Sequence, residues 1–378
     1  MNKAFRDNLI LFILTMIVGW LIMYLVPAKM FFLTYAPASF VLLFWLLILG
    51  VNGRGWPVTP PEGFWKPGMN KAGTGLLMSA LWVVLAILLT LFLTNLWPAF
   101  PLFPVGIYFG AILFMTTLWY TFIWGAYPVA QKSGAVNVVF GFIVVLVITS
   151  IIWLTMINFQ GMPFAQPSFP NGVFGADNLL GMMIWTIVWI MIFGNGLSMQ
   201  SYPFYKFGQP LGQIVLTVVV VILGYLSWTI TLNFLSPSFS FGAVAGSIIG
   251  WVLFHSFVFG YHPNAKHIQP KRGIYNMIIV LIAVAIWIPL LKVILAPIAA
   301  NVIVAGVPIP PFDISVLSML YTLHVVAILA VAHSLFWFKM PFTPLGPPIG
   351  PEEIPPGALT IQKSEDGSNR SEVEVNIN

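Results

Sequence analysis

The chain has 378 residues, 59% of them hydrophobic and 15% aromatic, with charged residues at only 7% and a formal net charge of +5. Soluble domains carry roughly 25% charged and about 45–50% apolar residues, so a water-soluble core is excluded and an apolar solvent is required. The absence of cysteine excludes disulfides, thiolate metal ligands and cysteine nucleophiles.

Lys3 and Arg6 precede a first apolar run over 9–26. It is too long for a signal-peptide core and lacks a small-x-small cleavage site, so it reads as a retained helix. Further runs of spanning length follow over 32–50, 76–97, 103–130, 136–158, 179–199, 214–234, 243–260, 274–291 and 314–338. A hydrocarbon layer of about 30 Å needs roughly 20 helical residues, and none of these runs alternates as a barrel strand does. The expected fold class is an all-α polytopic membrane protein with ten transmembrane helices, residues 1–340 forming the membrane domain. From 341 the chain is rich in proline and glycine, then polar and acidic, a composition that does not offset its ordering entropy. Residues 341–378 are therefore expected to form a disordered cytoplasmic tail.

The loop charges give an orientation. One set of connections holds Lys3, Arg6, Arg54, Lys66, Lys71, Lys132, Lys206, Lys266, Lys271, Arg272 and Lys339, whereas the other holds Lys29, Asp177 and Asp313, with Lys292 near its edge. The positive-inside rule assigns the first set to the cytoplasm, which puts both termini there, at the cell (inner) membrane.

Each even-numbered run ends at an X-Pro step: Trp56-Pro57, Tyr127-Pro128, Tyr202-Pro203, His262-Pro263 and Met340-Pro341. Four of these runs follow outer loops rich in Phe and Pro, at 97–104, 162–170, 236–242 and 307–313. The pattern predicts five tandem hairpins inserted in the same sense, each an outward helix, an outer loop and an inward helix. Gly106, Gly110, Gly181 and the evenly spaced Gly242, Gly246 and Gly250 lie near the outer start of the inward helices. Small residues there let backbones approach where lipid provides no hydrophobic drive.

Tyr120, Asn195, His255 and His333 stand at the eighth residue before the proline, with Leu49 at the fifth such position. Four residues later come Trp124, Met199, Phe259 and Trp337. A rise of ~1.5 Å per residue puts the first set about 12 Å inside the boundary. If the inward helices surround a common axis, a polar collar is expected above an aromatic one. Intramembrane polar side chains mark pathways, and interhelical hydrogen bonding is the alternative role.

No phosphate-binding loop, dinucleotide fingerprint, nucleophile elbow or zinc-peptidase motif is present, and no Asp or Glu lies in the middle of a run. This argues against an enzyme and against a carrier built on carboxylate relays, and nothing suggests nucleic-acid binding or a bound metal. His255 and His324 are the candidates for axial haem ligation in an alternative redox role. Lys292 is expected to snorkel to the outer interface, and the apolar segment 294–306 to be re-entrant or interfacial. The many intramembrane tryptophans offer faces for an organic cation. Together these features favour a transporter or channel for a small solute: a small anion, a neutral solute or a methylated amine. Its partners would be the lipid bilayer and other membrane subunits or further copies of itself. The alternatives are a membrane anchor or redox subunit binding haem, or a structural subunit of a larger complex.

Overall fold

The computed structural model describes residues 3–59, 70–96, 105–304 and 314–345; the outer loops at 97–104 and 307–313 and the tail from 346 lie outside the described residues. Ten helices are long and apolar enough to cross a membrane: α1 (Lys3–Leu25), α2 (Ala28–Asn52), α3 (Lys71–Leu96), α4 (Val105–Ile123), α5 (Gly134–Thr155), α6 (Ala176–Phe193), α7 (Leu211–Thr231), α8 (Phe239–Val258), α9 (Lys271–Ile294) and α10 (Ile314–Phe336). The chain is an all-α multi-pass membrane protein. Among the described residues, sheet is confined to two parallel two-residue strands, Ile157–Asn158 and Phe174–Gly175, in the α5–α6 loop. The apolar piece after α9 forms a separate short helix, Ala296–Val304, packed against α1 and the start of α2.

The helices fall into two layers. The even-numbered helices are 67–83% buried over their most apolar stretch, the odd-numbered ones only 22–33%. The even helices form a closed ring in which α2, α4, α6, α8 and α10 pack in that order and α10 returns to α2. Every seam of the ring has a polar or small-residue contact. Phe40 of α2 lies on Gly110 of α4. Tyr108 of α4 donates to Asp177 of α6 at 2.5 Å. Trp185 Nε1 of α6 donates to Ser240 Oγ of α8 at 3.0 Å. Gly242, Gly246 and Gly250 of α8 face Ser315, Met319 and Thr322 of α10. Tyr35 of α2 donates to the His324 carbonyl of α10 at 2.5 Å, and Ser39 Oγ lies 2.8 Å from His324 Nδ1. In a low-dielectric interior such pairs spare each polar group an unmet hydrogen bond.

The odd helices cover this ring and present leucine, isoleucine, valine and phenylalanine outward, as Ile87, Phe92, Ile143, Val218 and Ile286 show by their exposure. Each packs mainly on the even helix that precedes it: α3 on α2, α5 on α4, α7 on α6 and α9 on α8. The first helix, α1, lies against α10 instead, with Tyr321 donating to the Met16 carbonyl at 2.8 Å. The packed unit is thus shifted by one helix from the hairpin suggested by the outer loops. Small residues make this seam: Gly181 of α6 seats Trp228 of α7, and Gly224 of α7 seats Thr186 of α6.

Candidate functional site

The even helices end in one recurrent turn, where the two residues before each X-Pro step adopt left-handed backbone. Arg54 and Gly55, Gly125 and Ala126, Gln200 and Ser201, Gly260 and Tyr261, and Phe338 and Lys339 have φ between 48° and 81°. Left-handed residues stop a helix and turn its last carbonyls toward new donors. In all five turns the residue before the proline donates its amide to the carbonyl of the fourth residue before the proline: Gly53, Trp124, Met199, Phe259 or Trp337. In four turns the second left-handed residue donates to the eighth residue before the proline, as Gly55 to Leu49 at 2.8 Å, Ala126 to Tyr120 at 3.3 Å, Tyr261 to His255 at 3.0 Å and Lys339 to His333 at 3.3 Å. Helix α6 stops earlier, at Phe193; Asn195 lies in its turn and donates its amide to the Phe122 carbonyl at 2.7 Å.

Asn195 apart, the residues of the two collars expected from sequence supply the carbonyl acceptors of this turn at the helix ends, and their side chains touch the outer helices and the turns themselves. Trp124 and Trp119 both donate to Thr217 of α7, at 3.3 and 2.9 Å. Trp337 lies on Gly75 and donates to Ser79 Oγ of α3 at 3.0 Å. Phe259 packs on Phe5 and Phe12 of α1, Met199 meets Gly273 of α9, and Gly53 meets Val138 of α5. Five inner helices thus each turn this position toward an outer helix. Of the upper set, Tyr120 lies against Gly141 of α5, and His255 Nε2 lies 3.0 Å from the carbonyl of His262 in its own turn. His333 is half-buried beside Phe342. His324 lies much deeper in its helix than His255 does, on Ser39 and Phe40, so the structure does not bring these two histidines together. Gly106 is buried near the start of α4. Lys292 is exposed, with Nζ 5.4 Å from the Phe239 ring centroid.

Four buried asparagines that sequence reasoning passed over tie outer helices to these turns. Asn8 of α1 donates to the Thr343 carbonyl at 2.8 Å, Asn137 of α5 to the Lys132 carbonyl at 3.1 Å, and Asn264 of the α8 turn to Asn276 Oδ1 of α9 at 3.3 Å. For Asn8, Asn137 and Asn276 the signal in the sequence was an amide within the first turns of an otherwise apolar helix. Asp7 accepts from the Thr343 amide at 3.2 Å and from its hydroxyl at 2.7 Å, which fastens the chain after α10 to α1.

Two cations are buried at this proline-bearing face. Arg272 donates to Gln200 Oε1 and lies 5.8 Å over the ring of Tyr261, whose hydroxyl donates to the Gly196 carbonyl and is pushed up to about 12 by burial. Lys339 Nζ donates to the carbonyls of Val258, at 2.9 Å, and Leu345, at 2.6 Å; burial pushes its ammonium down to about 8.

The left-handed backbone makes a prediction with opposite signs at adjacent residues. A side chain in that conformation costs about 1–2 kcal/mol, so Gly125→Ala should lower thermal stability while Ala126→Gly should hold or raise it. Melting curves of the two variants in detergent check the signs, and a loss in both would refute the assignment. No family model, curated protein or solved structure matches this chain.

Proposed function

We propose that the protein is a cell-membrane transporter or channel that passes a small solute along the axis of the inner ring. The observation that carries this reading is the two-layer arrangement, a closed ring of five buried helices shielded from lipid by five others. A membrane anchor needs no second layer. A conduit does, because its lining must be built from side chains that lipid would not accept. Thr121 Oγ1 and Ser247 Oγ, buried in the ring without a hydrogen-bond partner, are groups of that kind.

The charges favour an anionic or neutral solute over an amine. Lys339 and Arg272 are buried at the proline face, whereas the described carboxylates Asp7 and Asp177 are engaged with Thr343 and Tyr108. The excess of Lys and Arg in the loops at that face supports a cytoplasmic placement. The recurrent turn supports five copies of one inner–outer unit, with α1 serving as the outer member of the last.

Purified protein in liposomes tests the function by parallel efflux of chloride, nitrate, glycerol and tetramethylammonium. Chloride or nitrate should leave about tenfold or more faster than from empty vesicles, and tetramethylammonium should not. Rates equal to empty vesicles for every solute would reject the conduit.

A further inference from the structure

The recurrent turn fixes a common register for the five inner helices, and that register identifies their axial side. The fourth residue before each proline faces an outer helix in all five cases, through Gly53, Trp124, Met199, Phe259 and Trp337. The ends of α2, α4 and α8 are π-helical, and in these and in α10 a residue two positions earlier lies roughly half a turn away around the helix; in the turn after α6 contacts alone place it. It points to the opposite side, toward the axis. The residues at that position are Val51, Phe122, Leu197, Phe257 and Leu335, and all five are apolar.

Contacts support the geometry. The rings of Phe122 and Phe257 have centroids 6.5 Å apart, although α4 and α8 are separated in the ring by α6. With neighbouring helix axes about 8–10 Å apart, non-adjacent members of a five-membered ring lie roughly 15 Å apart. Two phenylalanines meet over that distance by both pointing inward. A Cβ built on Gly194 would lie 2.8 Å from Phe122 Cβ and 2.9 Å from Leu197 Cδ1, so Phe122 and Leu197 both border Gly194, beyond the end of α6. Leu335 Cδ1 lies 2.8 Å from the corresponding point on Gly50, next to Val51. Phe122 and Leu197 are buried, whereas Val51, Phe257 and Leu335 are half-buried.

We infer that Val51, Phe122, Leu197, Phe257 and Leu335 form an apolar constriction that narrows the axis at the proline face. The inference rests on the conduit reading above and names its barrier. A narrow apolar ring excludes water and so opposes any ion that must keep its hydration shell. Widening it admits water and ions, and filling it further stops them.

Nitrate and chloride efflux from liposomes tests the constriction with four variants. Phe122→Ala/Phe257→Ala should raise the nitrate rate about tenfold or more, and Phe257→Ala alone, at a half-buried position, should raise it less. Val51→Phe should lower it, and Phe92→Ala on the lipid-facing side of α3 should leave it unchanged. Each protein is first shown to elute and melt as a folded species; if the double variant does not fold, Phe257→Ala and Val51→Phe carry the test. Wild-type efflux that none of the axial variants alters overturns the constriction and leaves the conduit standing. Folded wild-type protein that matches empty vesicles overturns the conduit and the constriction with it.

Discussion

Gly224→Leu is expected to destabilise the folded protein by about 3 kcal/mol or more. Gly224 lies in α7 where a Cβ would stand 2.8 Å from both the Cα and the amide nitrogen of Thr186 in α6. These are backbone atoms, so no rotamer change relieves the overlap and the helices must separate. The same seam contains the reciprocal seat, Gly181 under the indole of Trp228, and Trp189 Nε1 donating to Ser227 Oγ at 2.9 Å. Separation would therefore disturb three contacts at once. Overpacking typically costs about 1–3 kcal/mol and occasionally more, against a total stability of roughly 5–15 kcal/mol; the leucine belongs at the upper end because it also forces apart the other contacts. Gly224→Ala should lower the melting temperature measurably without preventing folding. Gly175→Ala, where nothing lies within 4 Å of an added Cβ, should do little. Size-exclusion profiles and melting curves in detergent read all three. A monodisperse Gly224→Leu protein with a wild-type melting temperature would mean that this seam is not closed as described.

The ten spans were legible because length and apolarity alone decide whether a helix crosses a bilayer. The division into layers was also present in the sequence, though in a form that span-finding ignores. The outer helices have mean hydropathies of 2.2–2.8 and the inner ones 1.5–2.2. Lipid accepts only apolar side chains, while a helix surrounded by helices can carry glycine, serine, threonine and tryptophan. The outer-loop pattern suggested hairpins of α1 with α2 and α3 with α4; the packed partners could not be read there because loops connect helices without fixing which faces meet. The glycine seats at Gly181 and Gly224 do fix them, and recognising those requires knowing what stands opposite.

The proline steps mark a recurrent turn, and the residues at the eighth position before the proline share a backbone role there. Tyr120, His255 and His333 attracted notice as polar groups in an apolar run, yet their shared property is a carbonyl that receives the amide of a left-handed residue. A carbonyl role is indifferent to the side chain, which is why Leu49 occupies the same position. The turn itself left little trace because seven of its ten left-handed residues are not glycine. The axial position two residues further on is apolar throughout, and in a chain that is 59% hydrophobic five apolar residues carry no signal of their own.

The second large effect concerns Lys339, the cation held between the last turn of α8 and the start of the tail. Its ammonium has two carbonyl acceptors, from Val258 and Leu345, and burial lowers it from 10.5 to about 8. Below pH 8 the lysine is charged in the folded and unfolded chains alike, and the folded state bears the whole burial penalty. Between pH 8 and 10.5 the folded protein gives up this proton first, so the unfolded state binds more protons and stability rises with pH. At 1.36 kcal/mol per unit the full span is worth about 3 kcal/mol. Tyr261, pushed up to about 12 by burial, keeps its proton in the fold while the unfolded phenol titrates at its ordinary value, so it opposes this rise near pH 10 in both proteins and cancels in their difference. In Lys339→Met this contribution to the slope should vanish, while the variant loses about 1 kcal/mol for each hydrogen bond left unmade. Denaturant midpoints at pH 7, 8, 9 and 10 for both proteins give the difference directly. Parallel curves for wild type and variant would show that Lys339 is equally charged in both states, and would remove the buried ammonium from the proline face.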